Sequence, residues 1–402
     1  MRENLSVSFK KGDVLILSTK ESNEGNIYKL SQIPDVNGGM IVVENSSGRI
    51  LAMVGGYDSS SEFNRVTQAY RQPGSAFKPI VYLAALENNI TPVSKILDAP
   101  VVIKNPTDKK NWRPTNYGNK FYGESTLRLG IEKSRNLMTV RLAQKIGLNE
   151  IKELSEEFKI YDELPLLLSS SLGSVETSLQ KLSIAYSIIA NGGFSIEPTL
   201  IDKIQDKNGK VIYRHDKRKC KNCLLEKTEF SNEKLKNYDF FPNIEETRKR
   251  IVSEESAYQM TSLLMGVLER GTAKNINYLD FQVAGKTGTT NNNQDAWFIG
   301  YNSEITVGVY VGYDSPSTLG QGQTGSNVAA PIFGDFMKKI YKEKKPKPFS
   351  VPQGIKFINV DVKTGAPSDK NFVQEAFKNN FSFEKQIQNN KNTDNEEFLG
   401  FY

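Results

Sequence analysis

Hydrophobic positions along the 402-residue chain change period twice, from strand-like to helical and back again. Asp13-Val-Leu-Ile-Leu-Ser18 is an apolar run of strand length, and polar residues follow it to about residue 38. MIVVE (40–44) and RILAMV (49–54) flank Asn45-Ser-Ser-Gly48 and stop at Gly55-Gly56, which predicts a β-hairpin. From about 75 to 270 the spacing is helical. After the apolar run 77–86 come STLRLGIEKSRNLMTVRLAQKIG (125–147), SLQKLSIAYSIIANGG (178–193) and ESAYQMTSLLMGVLERG (255–271). Each predicts a helix, the last two closed by Gly192-Gly193 and Gly271. The strand period returns in FQVAGKTGTT (281–290), DAWFIGYN (295–302) and ITVGVYVGYD (305–314). Only Ser303-Glu304 separates the last two, so they form a tight hairpin.

Two early strands, intervening helices and three late strands predict an α+β fold. One antiparallel five-stranded sheet is closed by both ends of a domain and flanked by helices. The expected division is a partial β module over 1–38, the main domain over 39–345, and a small appendage with a flexible tail over 346–402. The tail expectation rests on KQIQNNKNTDNEE, which is too polar to pack.

Apolar residues make up 38% of the chain and aromatics 10%, enough for a sizeable core. The net charge of +6 is mild. Its basic runs, at 215–221 and 338–348, are short and lie beside turns, so they read as solvated surface and no nucleic-acid partner is expected. No stretch reaches 18 consecutive apolar residues, and MRENLSVSFKKGD has no signal-peptide apolar region. His215 is the single histidine. A Ser-His-Asp triad or a multi-histidine metal centre would have to be built around it. Cys220 and Cys223 follow it closely without an obvious fourth ligand, so no metal site and no cofactor is expected.

The candidate chemistry begins at RQPGSAFKPIVYLAALE (71–87), where Ser75 sits at a helix start and Lys78 one turn on. A capping serine and a lysine that snorkels to water would explain this stretch alone. The alternative is a nucleophile and its base. A serine hydroxyl needs its proton removed, and a lysine can do that only if burial or a second cation lowers its pKa. Ser-x-x-Lys also occurs at Ser8, Ser178, Ser231 and Ser382, so the motif needs support. Ser134-Arg135-Asn136, inside a predicted helical segment, is the one Ser-x-Asn in the chain. It offers a second hydroxyl to relay a proton and an amide to hold a carbonyl. Lys286-Thr287-Gly288-Thr289 follows a strand-like stretch. Lys286 supplies a second cation, its threonines can grip a carboxylate, and Gly288 permits close approach to the backbone. The similar Lys363-Thr-Gly365 precedes Ala366-Pro367 and predicts a turn instead. The three elements, in this order, outweigh the bland reading of each.

With these motifs the chain resembles the transpeptidase domain of class A penicillin-binding proteins, the bifunctional high-molecular-mass kind. The resemblance extends through GRILAMVGGYD and FNRVTQAYRQPGSAFKPIVYLAALE (48–87), LGSVETSLQKLSIAYSIIANGG (172–193), VLERGTA (267–273) and GKTGTTNNNQDAWFIGY (285–301). It is dense over about 38–345, and GDVLILS resembles part of the small OB-like module that precedes this domain in some members. Ser178 stands where the family commonly has proline. The resemblance implies that Ser75 attacks the penultimate D-Ala of a peptidoglycan stem peptide ending in D-Ala-D-Ala. Lys78 takes the proton, and Ser134 passes it to the departing D-Ala. Backbone N–H groups of Ser75 and Thr289 form the oxyanion hole. Lys286, Thr287 and Thr289 hold the terminal carboxylate, and Asn136 an amide carbonyl. An acceptor amine resolves the acyl-enzyme into a cross-link, and β-lactams acylate Ser75 as substrate mimics.

Two rivals share the fold. A serine β-lactamase would hydrolyse the acyl group, but the Glu-x-x-Leu-Asn loop common in class A enzymes is missing between Ser134 and Lys286. A non-catalytic β-lactam sensor or scaffold would acylate without cross-linking. The family also implies a membrane helix and a glycosyltransferase domain ahead of this region, neither of which is in the chain, and a working place in the periplasm. An oxidising periplasm favours a short-loop disulfide between Cys220 and Cys223 over free thiols or metal.

Overall fold

The computed structural model describes residues 10, 12–22, 25–57, 61–103, 111–221 and 243–384. Five strands form the central sheet: β1 (Asn37–Glu44), β2 (Ile50–Val54), β3 (Ala284–Thr289), β4 (Asp295–Tyr301) and β5 (Ile305–Gly312). Their order is β3-β4-β5-β1-β2, every pair antiparallel, so β1 bridges the early hairpin to the late strands. This is the predicted five-stranded α+β arrangement.

Among the described residues seven α-helices pack on the sheet or on one another: α1 (Lys78–Glu87), α2 (Leu127–Glu132), α3 (Asn136–Ile146), α4 (Leu148–Glu157), α5 (Leu179–Ala190), α6 (Glu254–Glu269) and α7 (Ala329–Ile340). β4 is buried along its whole length because helices cover both faces of the sheet. A Cβ at Gly308 would meet Ser183 of α5, and one at Gly300, on the opposite face, would meet Phe333 of α7. Only Glu87 of α1 escapes burial, which makes α1 the central helix of the helical layer. Ser178 caps α5, its hydroxyl accepting from Lys181 N at 3.2 Å, so this rival Ser-x-x-Lys serine is accounted for by the helix start.

Two sequence expectations need correction. Residues 125–147 are not one helix: Lys133 to Arg135 separate α2 from α3, and Ser134 has φ +55°. The break falls in the polar run Glu132-Lys-Ser-Arg-Asn136, which reads equally as the exposed turn of one continuous helix. The first strand is Ile16–Ser22, displaced from 13–18, and it pairs with Gly25–Ser31. That second strand is exposed on both faces, which leaves no apolar alternation to detect it by.

At the other end, Ile355–Asp361 and Phe372–Lys378 form a hairpin. Lys363 and Thr364 occupy its connecting turn, where the Asp361 carboxylate accepts from both backbone N–H groups and Gly365 has φ +71°. The rival Lys-Thr-Gly is therefore a turn. Cys220, in the short strand Lys219–Lys221, is disulfide-bonded. Cys223 and the tail KQIQNNKNTDNEE lie outside the described residues, as do Ser8 and Ser231. Among the described residues no cluster of His, Cys, Asp and Glu could hold a metal ion, and no helix is long and apolar enough to cross a membrane.

Candidate active site

Pro73-Gly74 turns the chain into a single 3-10 turn, Gly74–Phe77, which runs directly into α1. Gly74 has φ +51°, and a Cβ there would lie 2.6 Å from the Thr289 carbonyl oxygen, so only glycine fits. Ser75 lies inside this turn and caps nothing. The turn is pinned from two more sides: Gly74 N donates to Gly173 O at 3.1 Å, and the Tyr186 hydroxyl donates to Ala76 O at 2.7 Å. From β3, Gly288 comes so near that a Cβ would be 2.4 Å from Pro73 O. Ser75 and the Lys-Thr-Gly-Thr strand are thereby neighbours.

Lys78 opens α1 and is fully buried. Its Nζ donates to Asn136 Oδ1 at 2.6 Å, Ser134 O at 2.7 Å and Ser134 Oγ at 3.3 Å. Lys286, equally buried on β3, donates to the same Ser134 Oγ at 2.9 Å and to Thr287 O at 3.0 Å. The Ser134 hydroxyl thus sits between two ammonium groups and keeps its own hydrogen free to donate. Burial is the main cause that pushes the Lys78 pKa well below its ordinary value; the Lys286 charge adds to it and Asp98 opposes it. Burial lowers Lys286 to about 7.

Lys78, Ser134, Asn136 and Lys286 are joined by direct hydrogen bonds; Ser75 is brought beside them by the backbone, and its hydroxyl makes no hydrogen bond among the described residues. Thr289 Oγ1 accepts from Gly325 N at 3.0 Å. Thr287 Oγ1 lies 2.8 Å from the hydroxyl of Thr272. Thr272 had drawn no chemical reading, although VLERGTA contains it. Asn116 and Asp98, behind the Ser134 turn, were missed as well. No sequence signal pointed to them: the start of α3 at Asn136, with no capping side chain from Arg135, emerges only once the structure divides 125–147 into two helices.

A lysine stripped of water can act as a base, a hydroxyl between two cations can relay a proton, and Asn136 still has an amide hydrogen to offer a carbonyl. The arrangement suits acyl transfer through a serine.

A profile of the penicillin binding protein transpeptidase domain matches residues 38–338. The chain is 46% identical over 400 residues to penicillin-binding protein 1A of Rickettsia conorii, covering 98% of this chain and 49% of that protein. It is 34% identical to penicillin-binding protein 1A of Pseudomonas aeruginosa, covering 89% of this chain and 47% of that protein. Among solved structures, penicillin-binding protein 1A from Haemophilus influenzae superposes with a TM-score of 0.77 at 30% identity, covering 90% of this chain and 56% of that one. The chain spans about half the length of the curated relatives it matches.

Proposed function

The chain belongs to the penicillin-binding protein transpeptidase family, and from that premise we propose that it is a serine DD-transpeptidase that cross-links peptidoglycan stem peptides. The observation that carries the reading is the Ser134 hydroxyl held between buried Lys78 and Lys286, next to the Ser75 turn.

Neutral Lys78 takes the Ser75 proton as Ser75 Oγ attacks the penultimate D-Ala carbonyl. Developing oxyanion charge falls to the backbone N–H groups of Ser75 and Thr289, whose chain segments touch at Gly74. Ser134 delivers a proton to the leaving D-Ala nitrogen and recovers one from Lys78. Lys286, Thr287 and Thr289 receive the terminal carboxylate, with Gly288 allowing the strand to lie against the turn. Asn136 donates to the substrate amide carbonyl. An amine from a second stem then attacks the acyl-enzyme; water in its place gives carboxypeptidase release of D-Ala. β-Lactams enter the same cycle as acylating mimics. The unit doing this is residues 39–345, preceded by a partial OB-like module over 1–38 and followed by the appendage from 346. We place the protein on the periplasmic side of the cytoplasmic membrane, where its substrate is found, with a membrane anchor and a glycosyltransferase as functional companions.

Labelling with a fluorescent penicillin, followed by peptide mass analysis, should find one acyl adduct, on Ser75. Ser75→Ala should abolish it, whereas Ser178→Ala should not. A pentapeptide donor with an acceptor amine should yield cross-linked dimer. A labelled Ser75 that yields neither dimer nor free D-Ala would make the protein a sensor, and rapid nitrocefin turnover would make it a β-lactamase.

A further inference from the structure

We propose that Asn116 is a positioning residue for acyl transfer, holding the Ser134–Asn136 turn in register with Lys78 and itself braced by the buried carboxylate of Asp98. The proposal rests on the acyl-transfer reading and deepens it.

The argument starts from an uncapped helix. α3 begins at Asn136, and no side chain of its own caps it. The first two free N–H groups go instead to the Asn116 side chain: Asn136 N donates to Asn116 Oδ1 at 2.8 Å and Leu137 N at 3.2 Å. On its other side, Asn116 Nδ2 donates to Asp98 Oδ1 at 2.7 Å and to Lys120 O at 2.9 Å. Both lone pairs and both hydrogens of the amide are used, which fixes its orientation and leaves no alternative arrangement. The preceding residue completes the clasp, since Asn136 Nδ2 donates to Thr115 O at 2.7 Å. Asn116 and Asp98 are buried.

The turn so held is under strain. Ser134 adopts φ +55°, a conformation a serine keeps only where its surroundings impose it. Released from Asn116, the turn relaxes and carries the Ser134 oxygens away from Lys78 and Lys286. Asp98 has a second effect. The charged groups acting on Lys78 are Lys286 from β3 and Asp98 from the strand Lys95–Asp98, with Arg135 3.6 Å from the Asp98 carboxylate. The Asp98 charge favours protonated Lys78, against the push of burial and Lys286.

The test measures the second-order rate constant for acylation of Ser75 by a penicillin across pH, per folded molecule of the full chain. Asn116→Ala should lower it about 10–100-fold, as expected for a small misplacement of reacting groups. Asp98→Asn keeps an acceptor for the Asn116 amide but removes the charge, so the ascending limb of the profile should move to lower pH. Asn116→Asp sets two carboxylates against each other. The exchange Asn116→Asp with Asp98→Asn restores the donor–acceptor pair between positions 116 and 98, without the bond to Lys120 O, and should recover part of that loss. Acylation of folded Asn116→Ala at the parent's rate, or an exchange no better than Asn116→Asp alone, overturns the proposal. If Asn116→Ala does not fold, the comparison of Asn116→Asp with the exchange decides the matter by itself. Failure of the parent protein to be acylated at Ser75 is a different result, which sinks the acyl-transfer reading and this inference with it.

Discussion

Lys286 acts on Lys78 through its charge, over and above the hydroxyl the two share. Both ammonium groups are fully buried, and burial is the larger influence on Lys78, with the Lys286 charge next. Each disfavours the protonated form, so each lowers the pH at which Lys78 becomes a base. Lys286→Gln keeps an N–H donor for Ser134 Oγ while removing the charge. Lys78 should then hold its proton to higher pH, and the ascending limb of acylation against pH should move upward. Stopped-flow acylation with a chromogenic β-lactam reads this directly; a limb that stays put or moves down contradicts the coupling. The identities of these residues were legible in the sequence because each motif carries its own chemistry: a serine, a lysine without histidine to help it, a second hydroxyl and a second cation. The strain at Ser134 was not legible, because a positive φ on a serine leaves no mark on composition or period.

β3 matters at the element scale as the wall against which the Ser75 turn rests. Gly288 makes that contact possible: a Cβ there would meet Pro73 O at 2.4 Å, Ala76 Cβ at 2.9 Å and Trp297 Cβ at 2.9 Å. Two of these atoms belong to the turn and its flank, and none lies at the end of a flexible side chain, so the strand itself has to move. Gly288→Ala should destabilise the fold by about 1–3 kcal/mol, the usual cost of overpacking. Its effect on acylation should be larger, on the order of a hundredfold for a displacement near 1 Å. Thermal melting and penicillin labelling measured together check both; unchanged labelling at a lowered melting temperature would show that the contact serves stability alone. The strands of the central sheet and the helices α1, α5 and α6 were readable from their apolar runs, whereas α4, α7 and the C-terminal hairpin were not read from the sequence. The junction between α2 and α3 was not readable either, since its polar run Glu132-Lys-Ser-Arg-Asn136 reads equally as the exposed turn of one continuous helix. Nor was the clasp by Asn116, whose partners at Asp98 and Leu137 lie 18 and 21 residues away and meet only after the loop folds.

The C-terminal hairpin is tied into the whole molecule by a charge that no local pattern announces. Glu375, fully buried on the strand Phe372–Lys378, receives Arg128 of α2 through two guanidinium nitrogens, one of them at 2.6 Å. Arg128 also donates to Glu132 at 3.1 Å, and Glu132 receives Arg270 at 2.8 Å. Further bonds join the hairpin to the body, from Gln259 Nε2 to Ala376 O at 2.9 Å and from Lys378 Nζ to Leu86 O at 3.1 Å. The appendage is therefore packed on α2 and α6, the helices that lead into the Ser134 turn and end next to Thr272. Buried ion pairs of this kind contribute little net stability over a well-packed apolar pair, yet cost a great deal to break. Glu375→Leu leaves Arg128 with one of its two carboxylates and should destabilise the protein by about 3–5 kcal/mol. Arg128→Met combined with Glu375→Leu should recover at least half of that, because Glu132 retains Arg270 and no buried charge is stranded. Urea unfolding of the parent, the single variant and the double variant decides the matter. A single variant as stable as the parent would mean that the pair is solvated, and a double variant no better than the single would place the hairpin's attachment in its backbone bonds.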